Sequence, residues 1–146
     1  MKVVSAGGGV QSTAIALMCI KGVLPKPDLV IFADTGSEMP STYATIGQLQ
    51  ILCKEAGLKF VTVQSGILWQ DYIEREIIPS IGNSYCTMNY KITPIRRYLR
   101  EHQDETGPKP WSEMWIGITT DEKHRARMDR DWETSNRSNL VIHGAI

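Results

Sequence analysis

Leu29-Val-Ile-Phe-Ala33 is apolar at every position. A strand with one wet face would place a polar residue at every second site, so this run reads as a strand covered on both faces. Such a sheet needs helices above and below it, and the flanking sequence supplies them. Residues 2–5 form a first strand centred on Val3 and Val4. Residues 11–22 read as a helix with Ala14, Ile15, Leu17 and Met18 on its apolar face and Gly22 as its stop. After Pro40 a second helix begins, capped by Ser41 or Thr42. It buries Ile46, Leu49, Leu52 and Cys53 and stops at Gly57. Lys59–Val63 is the third strand. This alternation predicts an α/β domain: a three-layer, open, mostly parallel sheet with right-handed crossovers and helices on both faces.

The remainder continues the pattern less regularly. Residues 67–81 carry a weaker helical period, and Gly82-Asn-Ser84 is a turn. Pro94 opens a helix that ends near Gln103. Residues 104–110 are a polar loop, Trp111–Ile118 a strand with Trp115 in the core, and Leu140–Ile142 a short last strand. The segment from Asp121 to Asp131 is dense in charge. Residues 1–146 are expected to form a single domain. With 16 basic and 16 acidic residues the net charge is zero, which gives bulk attraction to nucleic acid no support. Cys19, Cys53 and Cys86 have neither disulfide-framework nor zinc-finger spacing, so a reducing, cytoplasmic setting is expected. Cys19 and Cys53 fall on apolar helix faces and read as core. No apolar run is long enough to span a bilayer, and the start reads as a strand rather than a leader, so no membrane partner is expected.

Sheets of this kind bind ligands beyond the carboxyl ends of their strands. Of three candidate segments, the first two fall there. Ser5-Ala-Gly-Gly-Gly-Val-Gln-Ser-Thr13 is a glycine-rich turn from strand into helix. It lets an anion approach the backbone and the unpaired N–H groups of the helix start. Ser5, Gly7, Gly8, Gly9, Gln11, Ser12 and Thr13 are the candidate binding residues. The turn is not a Walker A loop, because Gln11 stands where that loop needs Lys. In Phe32-Ala-Asp-Thr-Gly36, Asp34 either contacts a ligand or a cation, or merely closes an Asx-turn. In Gly117-Ile-Thr-Thr-Asp-Glu-Lys-His-Arg125, Arg125 has the planar donor fork that suits phosphate or sulfate, with Glu122 to orient it. The alternative is a salt-bridged, solvated helix start. Lys91 is a further candidate anion partner. With Arg96 and Arg100 it forms either a basic wall or a solvated face. Cys86 is either a thiol activated by Lys91 or an inert one. Three scattered histidines and no carboxylate cluster give no protein-built metal site.

These segments resemble the adenine-nucleotide alpha hydrolase, or ATP pyrophosphatase (PP-loop), superfamily, and within it the phosphoadenosine phosphosulfate (PAPS) reductase family. Gly7, Gly8, Gly9 and Ser12 fall on the pyrophosphate loop Ser-Gly-Gly-x-Asp-Ser, with Gln11 on an Asp tied to Mg²⁺ handling in relatives. Phe32–Pro40 is similar to the family's Phe-x-Asp-Thr-Gly segment with its following Pro. Cys86–Pro94 resembles Cys-x-x-x-x-Lys-x-x-Pro. Gly117–Arg125 resembles Gly-Ile-Arg-x-x-Glu-x-x-Arg, with Thr119 at the first Arg. The resemblance implies a Rossmann-like fold and an adenine nucleotide as ligand, with backbone at Phe32 and Ala33 reading the adenine edge. Lys91, Arg125 and Cys86 are the implied catalytic residues, and Gly117 and Glu122 join the binding set. The implied activity is cleavage at the alpha phosphate of ATP, with Mg²⁺, or processing of an adenylyl sulfate such as PAPS. The family's tail cysteine is not found at the end of this sequence, so thiol reduction would need a thiol-donor protein. The alternatives are a non-catalytic nucleotide-binding module and a subunit of a nucleic-acid-thiolating enzyme. A homodimer that completes the site is also expected.

Overall fold

The structure is a computed structural model, described over residues 1–78, 85–102, 112–117 and 140–144. The sheet has five strands, β1 (Lys2–Ser5), β2 (Leu29–Asp34), β3 (Phe60–Gln64), β4 (Ser112–Ile116) and β5 (Leu140–Gly144), in the order β3-β2-β1-β4-β5. Every pairing is parallel. The expected mostly parallel sheet is thus wholly parallel among the described strands. The chain builds outward from β1 to β3, then returns past β1 to place β4 on its other side.

Among the described residues four α-helices accompany these strands: α1 (Val10–Ile20), α2 (Pro40–Glu55), α3 (Leu68–Glu74) and α4 (Thr93–Glu101). The two-residue period of the strands sorts the core into two layers. Val4, Val30, Phe32 and Trp115 face Ile15, Ala16 and Cys19 of α1 and Ile46, Leu49 and Cys53 of α2. Val3, Leu29, Ile31, Ala33 and Met114 face Ile95 and Leu99 of α4. The connecting helices change face where the sheet reverses its direction of growth, as a constant crossover hand requires. Burial drives this arrangement: each fully buried Val, Leu or Ile contributes about 1.5–3 kcal/mol before conformational entropy is subtracted.

Several local expectations are corrected. α2 starts at Pro40, not at Ser41 or Thr42. Proline's missing N–H costs nothing in a first turn and its fixed φ suits the helix, so Met39 occupies the cap position without a side-chain bond. Ala14 is exposed, and the buried stripe of α1 is Ser12, Ile15, Ala16 and Cys19. Leu52 is likewise exposed on α2. The helix expected over 67–81 is only α3 within the described residues, and none of its side chains is buried.

Pro94 lies in the first turn of α4, as its place at a helix start predicts, but the helical run begins before it. Residues 85–101 are helical throughout, with a π-helical segment (Thr87–Ile92) just ahead of the proline. Proline lacks an N–H and its ring collides with the carbonyl four residues back. A wider turn displaces that carbonyl, and the Thr93 N–H reaches back to Met88 O.

Candidate functional site

The turn from β1 into α1 is held from two sides. Gly8 has φ +73, and a Cβ there would lie 2.5 Å from Thr42 Cγ2 in the first turn of α2. Gly117 closes β4 against the other flank. A Cβ at Gly117 would lie 2.6 Å from Ser12 N and 2.7 Å from the Gln11 carbonyl carbon. Both glycines are therefore demanded by the protein's own packing. Ser12 binds the turn together internally: its Oγ accepts from Gly7 N at 3.1 Å and donates to Gly9 O at 3.2 Å. That hydroxyl's single proton is committed, so Ser12 shapes the cradle.

Gly7 and Gly9 differ. Both are exposed with φ outside the left-handed region, and a Cβ at either would meet nothing closer than 3.7 Å among the described residues. The fold would accept a side chain there; glycine instead leaves the backbone bare. Gly9 caps α1, whose first intrahelical bond is donated by Thr13 N. The N–H groups of Val10, Gln11 and Ser12 are the free donors of the helix start, and no acidic residue lies in that turn. An anion placed there gains roughly 0.3–1 kcal/mol from the helix dipole alone. Gln11 folds back toward Gly9, its Oε1 3.7 Å from where a Gly9 Cβ would sit. Thr13 Oγ1 is buried without a hydrogen-bond partner among the described residues. Ser5 ends β1 opposite Ile31, half-buried.

At the end of β2 the two backbone candidates separate. Ala6 N donates to Ile31 O at 2.8 Å, and Val30 N donates to Lys59 O. Since backbone groups alternate sides along a strand, Phe32 faces β3 and Ala33 faces the β1 side. The β1 ladder ends at Ser5–Ile31, so Ala33 presents its backbone edge past the end of β1, above the cradle. Phe32 is committed to the β3 ladder.

Asp34 does close an Asx-turn: its Oδ1 accepts from Gly36 N at 2.8 Å and from Tyr43 OH at 2.8 Å. The Tyr43 hydroxyl titrates above its ordinary range, through loss of water first and the Asp34 bond second. Gly36 has φ +67 and lies against Ile67.

Lys91 sits in the π-helical segment with its Nζ 3.2 Å from Glu38 Oε1. Cys86 is half-buried and its Sγ lies 4.0 Å from Thr87 Oγ1. The Tyr72 hydroxyl is raised above its ordinary range by desolvation first and by the neighbouring Cys86 second. Arg96 is held below the ordinary guanidinium range by burial and by Arg100, which places those two on one face as expected. Arg125 and Glu122 lie outside the described residues, as do Trp111 and Trp132.

The chain matches the phosphoadenosine phosphosulfate reductase domain over residues 2–141. It belongs to that family. A relative in Methanocaldococcus jannaschii, itself described only as uncharacterized, is 31% identical over 100 residues. That match covers 68% of this chain and 23% of the relative, so the chain spans about a quarter of the relative's length. PAPS reductase family membership covers all four motifs of the sequence and agrees with the parallel sheet.

Sequence reasoning missed two groups of polar residues beside these segments. Glu38 and Tyr43 were not singled out, although both lie within ten residues of Asp34. The second is a polar knot. Asp71 on α3 accepts from Tyr85 OH at 2.5 Å and pairs with Arg75 at 2.5 Å, and burial first and Asp71 second raise the Tyr90 hydroxyl above its ordinary range. The Tyr85 and Tyr90 rings lie 6.4 Å apart. Their five-residue spacing was the available signal, because a π-turn brings residues five apart onto one side.

Proposed function

We propose that this chain binds an adenine nucleotide across the carboxyl edge of β1, β2 and β4 and acts at the alpha phosphate of ATP or on an adenylyl sulfate. The observation that carries the reading is the contrast among the loop glycines. Gly8 and Gly117 serve packing, whereas Gly7 and Gly9 expose the backbone beside the free N–H groups of α1. A pyrophosphate or sulfate on that turn leaves the adenine edge within the reach of the Ala33 backbone. Lys91 supplies positive charge from the π-helical segment, and Arg125 is the second candidate for that role. Fixed donors aimed at developing phosphate charge are the largest single source of catalysis in phosphoryl chemistry.

No group of three His, Cys, Asp or Glu side chains able to hold a metal occurs among the described residues. Mg²⁺ therefore fits here as the partner of the nucleotide's phosphates, which with water supply most of its ligands. Bound so, it would neutralise phosphate charge.

Titration calorimetry with ATP, adenylyl sulfate, PAPS and adenosine 3′,5′-bisphosphate, with and without Mg²⁺, tests the proposal. ATP binding that depends on Mg²⁺, followed by pyrophosphate release, supports alpha-phosphate cleavage. Tight, Mg²⁺-independent binding of PAPS supports sulfonucleotide processing with a thiol-donor protein. Binding without turnover reduces the reading to a nucleotide-binding module, and release stimulated by tRNA or DNA moves it to nucleic-acid modification. No binding at all overturns it.

A further inference from the structure

Glu38 holds two partners with one oxygen. Thr35 Oγ1 donates to Glu38 Oε1 at 3.0 Å, and Lys91 Nζ lies 3.2 Å from the same atom. Thr35 is 2% exposed at the end of β2, and its hydroxyl also accepts from Ser37 N at 3.3 Å. The carboxylate is thus fixed by the strand end, and the lysine is the movable member. Lys91 is 42% exposed against 18% for Glu38, so the ammonium stands at the water boundary on a flexible stem. The pair joins the β2–α2 turn to the π-helical segment, the two elements that face each other at the sheet's carboxyl edge.

We infer that Glu38 is a built-in counter-ion that occupies Lys91 until a polyanion displaces it, and so sets how strongly the site binds phosphate. This rests on the nucleotide reading above. Glu38 donates nothing to an anion and repels it at close range, while it neutralises the lysine proposed above as an anion partner. Exchange is physically accessible, because a half-exposed pair is worth only about 0.2–1 kcal/mol. A di- or triphosphate offers Lys91 more negative charge than one carboxylate does. Glu38 is accordingly an affinity-setting residue that acts through Lys91.

Inorganic pyrophosphate is the probe, titrated into the wild-type chain, Glu38→Gln, Lys91→Gln and the double variant. Glutamine keeps an oxygen for the Thr35 hydroxyl and removes only the charge, and thermal melting checks that each variant folds. Pyrophosphate should bind Glu38→Gln roughly two- to fivefold tighter than wild type, the range set by a half-exposed ion pair. That gain should vanish in the Lys91→Gln background. Unchanged or weaker binding by Glu38→Gln overturns the inference, as does a gain that survives without Lys91, which would mean general repulsion. In both cases wild-type binding persists and the nucleotide reading stands. If pyrophosphate binds neither wild type nor any folded variant, the phosphate cradle itself is refuted.

Discussion

The two flanks of the sheet's carboxyl edge are built by opposite means. On one flank, the turn Gly7–Ser12 is pressed between α2 and the end of β4 and closed by a buried hydroxyl, over a core that excludes water. On the other, α3 buries no side chain and is fastened to the helix at residues 85–101 through Asp71 and its tyrosine partners. The first flank is fixed by shape and the second by charge. Shape is insensitive to pH and salt, whereas exposed polar contacts respond to both. In the proposed site, one flank of each kind would hold a phosphate position constant and leave the facing wall adjustable.

The sharpest way to break the contrast is to spoil the shape. Gly117→Ala puts a methyl group 2.6 Å from Ser12 N, where backbone has to give way. The cost should be about 1–3 kcal/mol or more, read as a lower urea midpoint and loss of nucleotide binding. Ser12→Ala removes the loop's internal brace and leaves Gly7 N unpartnered. It should cost roughly 1–3 kcal/mol and weaken binding, and an unchanged urea midpoint would show the brace to be dispensable.

The second flank is tested with acid. Tyr85 first and Arg75 second hold the Asp71 carboxyl below its ordinary range. A carboxylate with a lowered folded pKa contributes stability that is present above its unfolded value, about 3.9, and is lost as pH falls through the folded value. Hydrogen exchange should therefore show α3 loosening below about pH 4 while β1 and β2 stay protected. In Asp71→Asn that acid step should disappear. The tyrosines have the opposite sign. Tyr85, raised first by its Asp71 bond, and Tyr90, raised first by burial, add stability up to about pH 10 that is lost as pH rises through their raised values.

Thiol labelling gives the smallest readout. Cys53 is fully buried, and burial followed by Cys19 pushes its thiol up to about 11; Cys19 is buried and raised as well. Native protein at neutral pH should take up one equivalent of alkylating agent, at Cys86. Labelling of Cys53 at a similar rate would show that the shape-held flank opens.

What was legible in the sequence follows the same division. Leu29–Ala33 and the hydrophobic periods around it were sufficient for the parallel sheet, because burial dominates there and leaves a period to read. Gly8 and Gly117 were marked by motif, but why each must be glycine lies in contacts with Thr42 and Ser12 that come from other elements. The Glu38–Lys91 pair joins residues far apart in sequence and leaves no period, and the Asp71 knot left only the five-residue spacing of its tyrosines. Pro94 marked the first turn of α4 for a physical reason, since proline is acceptable at a helix start, and only the structure shows that a widened helical turn precedes it.

That widened turn also fixes a count. Tyr85 and Tyr90 share a side across a spacing of five. Removing one residue between Thr87 and Ile92 would return the turn to ordinary α geometry and leave the residues before it close to their present phase relative to α4, because a π-turn spends one extra residue on about the same rotation. Tyr85 would thus stay on the side of the helix that meets Asp71. The segment works as a spacer that absorbs one residue of chain length without changing which side chains before it meet the sheet.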